Sequence, residues 1–208
     1  MTPAQACPFK HFTLFGLGLI GGSLAMAVRE AYPGLHIRAV DPRAEALRFA
    51  LSERIVDEAA LELPDAFAPN HLVVLASHLP TNAALLERLA ERLAGVEDAL
   101  VIDLGSCKRS IVALGERSLP GRFVGAHPMA GREKAGIENA TSLLFTGKRF
   151  LFTPGADVAP ETLERLGRFV EGFGARPTVL DAETHDRMMA YVSHFPQLYS
   201  ILLTNLIA

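Results

Sequence analysis

Three glycines, an acid and a histidine stand in this chain where their types and spacing can do chemistry. Gly16, Gly18 and Gly21 form G-x-G-x-x-G in FTLFGLGLIGGSLAMAVRE, between a short apolar run and a helical pattern. There the first glycine permits a tight turn, the second lets a pyrophosphate approach the backbone, and the third lets helix and strand pack closely. The free N–H groups of the following helix, with Leu19 and Ile20 in its first turn, offer partial positive charge to phosphate oxygens. Asp41, in IRAVDPR, follows about 20 residues after Gly21, where a carboxylate accepts hydrogen bonds from adenosine ribose hydroxyls. A carboxylate at that place repels a 2′-phosphate and so favours NAD over NADP, with Arg43 two residues on as the one opposing feature. His127 lies in FVGAHPMAGREKAG, flanked by Gly125 and Gly131 and followed by Pro128, which biases the histidine to extended backbone. Imidazole is the side chain whose ordinary pKa lets it take or share a hydroxyl proton near neutral pH.

These residues depend on the elements that carry them. Phe12–Phe15, His36–Val40, Leu72–Ala76, Leu100–Leu104, Phe123–Ala126, Arg149–Thr153 and Arg176–Leu180 read as strands. Helical patterns run from the glycines to about Glu30, from Arg43 to Glu53, from Thr81 to Leu93, between Leu104 and Phe123, and from Pro160 to Phe173. Strand and helix in alternation predict an α/β fold with a doubly wound, mostly parallel Rossmann-type sheet over residues 10–180. Beyond Asp181 the pattern is purely helical, so residues 181–208 are expected to begin an all-helical second domain. Ligands of such sheets bind outside the carboxyl ends of the strands. Those ends deliver Ser77 and Thr81, then Ser106, Cys107 and Lys108, then His127, so Ser106 and His127 are expected to face a nicotinamide.

Composition excludes several classes. Half of the 208 residues are hydrophobic, which argues for a globular core and against disorder. A net charge of −3 and the lack of a basic stripe interleaved with aromatics argue against nucleic acid as partner. Cys7 and Cys107 lack metal-ligand spacing, so no metal and no disulfide framework is expected, and a reduced, cytoplasmic setting is the default. MTPAQACPFKHF has no apolar signal-peptide core, and Ser200, Thr204 and Asn205 interrupt the longest apolar tract, so no membrane span is expected.

GLGLIGGSLA, DLGSCK, GAHPMAGREKAG and AETHDRMMAYVSHFPQ, taken together and in this order, resemble the prephenate and arogenate dehydrogenase family of tyrosine biosynthesis. The resemblance runs from about residue 12 to the end. It implies an NAD-dependent oxidative decarboxylation, prephenate going to 4-hydroxyphenylpyruvate or arogenate to tyrosine. It also implies that His127 bonds the ring hydroxyl while Ser106 supports that contact, and that Glu133, His185 and His194 border the substrate. A homodimer formed through the helical C-terminal part is implied as well.

His185 and His194 are nine residues apart and lie on opposite faces of a straight helix, so sharing one pocket requires a bend or break, for which Pro196 is the expected cause. His185 also reads simply as a helix-start residue beside Asp186. The chain departs from the family pattern at Arg132, where a small hydroxyl residue is commoner, and at Cys107, which reads as a small apolar filler or a reactive thiol. Gln197 stands where several prephenate-using members have histidine, a departure that leans toward arogenate. The family continues for several further helices that supply an arginine for the substrate carboxylate; here Arg132 is the expected substitute. Two rival readings stay open: a Rossmann dehydrogenase of the β-hydroxyacid type, and a non-catalytic NAD-binding module.

Overall fold

A computed structural model describes residues 6–207. Residues 1–5, at the start of the segment read for a signal peptide, and Ala208, the last residue of the expected helical segment, lie outside the described residues. The strands are β1 (His11–Phe15), β2 (His36–Val40), β3 (Glu58–Ala60), β4 (His71–Leu75), β5 (Leu100–Asp103), β6 (Phe123–Pro128), β7 (Arg149–Pro154) and β8 (Arg176–Val179). The helices are α1 (Leu19–Ala31), α2 (Ala44–Ser52), α3 (Leu79–Arg92), α4 (Arg109–Ser118), α5 (Pro160–Glu171), α6 (Ala182–Met189) and α7 (Phe195–Ile207).

One sheet contains all eight strands in the order β3-β2-β1-β4-β5-β6-β7-β8. Neighbours are parallel except β6 and β7, which pair antiparallel with His127 opposite Leu151. The fold is therefore doubly wound and mostly parallel, as the alternating pattern predicts. β4 reads HLVVL and is buried at every position, as a strand covered on both faces must be. Its alternate residues divide between two cores: Leu72 and Val74 pack with Leu24 and Val28 of α1 and Phe169 of α5. Val73 and Leu75 pack on the other face with Leu86 and Leu89 of α3 and Ile111 of α4. The period of two along the strand thus gives each face its own layer of helices.

β3 is absent from the sequence reading, because three residues at a sheet edge are too few to show a period. The β6–β7 connection holds two short 3-10 turns, Ile137–Asn139 and Ser142–Phe145. Buried Ile137 rests where a Cβ on Gly22 of α1 would stand, so residues 131–136 are drawn back over the start of α1. At the other end α6 does not break before Pro196. It passes through a π-helical turn, Ala190–His194, in which the Phe195 N–H bonds the Ala190 carbonyl, and continues as α7. A widened turn advances fewer degrees per residue, so His194 moves round toward the face of His185 without a break.

Candidate active site

The sheet reverses its winding between β1 and β4, and a cleft of about 700 Å³ opens there, at the strands' carboxyl ends. Gly16, Gly18, Leu19, Ile20, Asp41, Ser77 and Thr81 all line it. The glycines differ in what they are for. A Cβ on Gly21 would overlap the Gly16 carbonyl oxygen, and one on Gly16, at φ +98°, would crowd the Ala76 carbonyl. Both are required by the fold itself. A Cβ on Gly18 would meet nothing within 4 Å, and its backbone is ordinary and extended. The chain has no use of its own for a glycine there; the bare Cα leaves room for a ligand against the N-terminus of α1.

Asp41 closes the far side. Its carboxylate is buried and accepts from the Leu17 N–H at 2.7 Å and the Arg43 N–H at 2.8 Å. The Arg43 guanidinium adds two bonds at 3.0 Å. Burial opposes the charge, yet the guanidinium and the two amides outweigh it and hold the carboxyl below its usual pKa. An ionised acid therefore stands at the end of β2, with the half-exposed Arg43 guanidinium paired to it.

His127 lies near the end of β6, on the same edge of the sheet. Its Nδ1 is 2.9 Å from His185 Nε2, the two rings meeting edge to face. His185 is fully buried, and its Nδ1 is 2.8 Å from Asp186 Oδ1. Asp186 in turn accepts the backbone N–H groups of Lys108 at 2.7 Å and Arg109 at 3.0 Å, capping the start of α4 from another helix. Beneath the ring, the Lys108 ammonium is completely buried. It donates to both oxygens of Asp103 at 2.6 Å and to the Ala126 carbonyl, next to His127, at 2.8 Å. Burial pushes the Asp103 carboxyl up and the Lys108 ammonium down, while their contact opposes both shifts. Burial, followed by the proximity of His185, Lys108 and His194, pushes His127 down to about 4. At neutral pH it is an uncharged imidazole able to accept a proton.

The remaining expected site residues fall in different places. His194 is near enough to act on His127 electrostatically, which places it on the same side of the molecule. Ser106 is exposed in the loop after β5, and no hydrogen bond joins it to His127; the ring's partner is His185 instead. Arg132 and Glu133 line the nucleotide cleft, carried there by the folded-back loop. Gln197 is exposed on the first turn of α7. Asp186, Lys108 and Asp103 were missed as site residues. Asp186 adjoins His185 in sequence, which is its only local signal, and 78 positions separate it from the Lys108 amide it caps. Among the described residues no group suited to a metal ion exists, and no helix is long and apolar enough to cross a membrane.

A strand order of this kind, with open space at Gly18 and an ionised acid after β2, defines a nucleotide-binding domain of the Rossmann type. The chain belongs to the prephenate dehydrogenase nucleotide-binding domain family, whose model matches residues 24–179. That match begins inside α1, so the glycine turn lies outside it and is separate evidence. Prephenate dehydrogenase of Bacillus subtilis is 34% identical over 195 residues, covering 92% of this chain and 52% of the relative. The structure of prephenate dehydrogenase from A. aeolicus in complex with hydroxyphenyl propionate and NAD+ matches with a TM-score of 0.82 at 29% identity, over 95% of this chain and 68% of that one. Synechocystis arogenate dehydrogenase matches at 0.81 and 28%, over 94% of this chain and 68% of that one. The chain spans about half the length of the first curated relatives it matches.

Proposed function

We propose that this chain is the NAD-binding and catalytic part of a dehydrogenase that oxidises and decarboxylates a cyclohexadienol carboxylate, prephenate or arogenate. The observation that carries the reading is an uncharged imidazole, His127, held by a buried partner on the same sheet edge as a nucleotide cleft. NAD, when bound, supplies the acceptor for the hydride. The α1 N-terminus and the gap at Gly18 suit its pyrophosphate, and Asp41 suits ribose hydroxyls and repels a 2′-phosphate, favouring NAD over NADP. His127 accepts the ring hydroxyl's proton as the carbon bearing it loses hydride. The electron pair of the breaking C–CO2 bond then enters the ring, which becomes aromatic, and the phenolate oxygen takes a proton back. Aromatisation makes the sequence strongly downhill, so the chain's own work is orientation and proton transfer.

Ser106, Glu133 and His194 are read as bordering the substrate, with Arg132 and Gln197 as further candidates; His185, expected there too, is fully buried with both ring nitrogens engaged and reaches the substrate only through His127. Residues 10–180 are read as the dinucleotide-binding domain and 181–208 as the start of a helical one. The exposed apolar residues Leu198, Ile201 and Leu202 of α7 suit pairing of two copies through that part, and the setting is read as cytoplasmic.

The test is NADH absorbance on mixing protein, NAD and prephenate or arogenate. His127→Asn is expected to lower turnover by about 10² to 10⁴-fold with NAD affinity nearly unchanged. Retention of most activity by that variant overturns the role of His127. Production of NADH from neither substrate overturns the reaction.

A further inference from the structure

We infer that His185 and Asp186 act together as positioning residues that fix the proton of His127 on Nδ1, leaving Nε2 as a bare lone pair for the substrate hydroxyl. The role rests on the proposed function for its purpose, but its physical content concerns the three side chains alone.

The direction of each bond follows from the one before it. Asp186 takes two backbone N–H donors, from Lys108 and Arg109. Burial works against its charge, but these amides and His185 outweigh burial and hold it below the usual carboxylate range. An ionised carboxylate has no proton to give, so His185 Nδ1, at 2.8 Å, must be the donor. In a neutral imidazole the second nitrogen is then a lone pair. His185 Nε2 faces His127 Nδ1 at 2.9 Å, and two lone pairs cannot face each other there, so His127 Nδ1 carries the proton. No protein group among the described residues bonds His127 Nε2. The other charged groups near the ring do not reverse this order. Lys108 spends its ammonium on Asp103 and the Ala126 carbonyl, and His194 touches neither ring nitrogen.

The arrangement matters because an unconstrained histidine favours the opposite tautomer, with its proton on Nε2. In that form His127 would present a donor, and could not accept the hydroxyl proton. The N-terminus of α4 thereby determines, through Asp186 and the buried His185, which nitrogen of a residue on β6 is basic. The same logic holds for a triad in which a carboxylate sets the tautomer of a general base.

The experiment is long-range ¹H–¹⁵N correlation on the histidine-labelled protein without ligands at about pH 8, above the ordinary histidine pKa. In the natural sequence His127 is expected to show a protonated Nδ1 and an unprotonated Nε2. In His185→Phe the ring remains apolar and buried but accepts nothing, and the His127 proton is expected to move largely to Nε2. His185→Gln places an amide oxygen near the lost Nε2 and is expected to restore Nδ1–H. Should His185→Phe fail to fold, Asp186→Ala keeps the buried ring, frees it to turn over, and is expected to give a mixture of tautomers. Turnover is expected to follow the Nδ1–H population, falling at least about tenfold in His185→Phe with the KM for NAD unchanged. A protonated Nε2 on His127 in the natural sequence overturns the inference, as does a tautomer that none of these substitutions alters. If the tautomers behave as expected and neither cyclohexadienol is oxidised, the lock stands and the proposed reaction falls.

Discussion

Gly18 and Gly21 show how two identical residues three positions apart answer to different constraints. Gly21 is held by the chain, since any side chain would strike the Gly16 carbonyl across the turn. Gly18 answers only to something outside the chain. Gly18→Ala is therefore expected to leave the thermal midpoint unchanged while raising the Kd for NAD about tenfold or more, because the methyl occupies ligand space. Gly21→Ala is expected to lower stability by about 1–3 kcal/mol through forced backbone movement. Calorimetry with and without NAD separates the two effects. If Gly18→Ala binds NAD normally, the gap at α1 is not the phosphate site.

At the scale of elements, the joint between β5, α4, β6 and α6 depends on the buried Lys108–Asp103 pair. The pair ties the end of β5 to the carboxyl half of β6, and Asp186 ties α6 to the first turn of α4. Removing one partner leaves an uncompensated buried charge, at a cost of about 3–5 kcal/mol. Lys108→Met is expected to lose stability on that scale in urea titration, and the double variant with Asp103→Leu to lose less than Lys108→Met alone, since no orphan charge remains. A double variant as unstable as the sum of its parts contradicts this account of the joint. The π-turn at Ala190–His194 belongs to the same scale. Pro196 removes an amide that a regular helix would use, and the five-residue turn accommodates the loss while rotating His194 toward His185.

For the molecule as a whole, pH acts through histidines buried at opposite ends of the sheet. Burial pushes both His71, at the amino end of β4, and His127, at the carboxyl end of β6, down to about 4. A group whose folded pKa lies below its unfolded value of about 6.5 binds its proton more readily when unfolded, so stability rises with pH between the two values. Acidification from about pH 7 to 4 is expected to cost on the order of 3 kcal/mol per histidine, before the lowered carboxyls of Asp41, Asp57 and Asp186 begin to protonate. Urea midpoints at about pH 7, 5.5 and 4.5 check the sign; a flat profile across that interval contradicts it.

Much of this protein is legible in its residues alone. The alternation of strands and helices, the glycine turn, Asp41 and His127 are all local patterns, because strand burial, a tight turn and a strand-end acid each leave a mark within a few positions. What the sequence could not settle is which residues meet. His127 is 58 positions from His185, and Asp186 is 78 from the amide of Lys108. The neighbour expected beside the imidazole was Ser106, and the one found is His185, while the loop bearing Arg132 and Glu133 turns back over the nucleotide cleft. Short-range pattern determines the elements; only the packing of α6 across β6 and α4 decides which nitrogen bears a proton, because that depends on directions of hydrogen bonds between segments that sequence spacing does not relate.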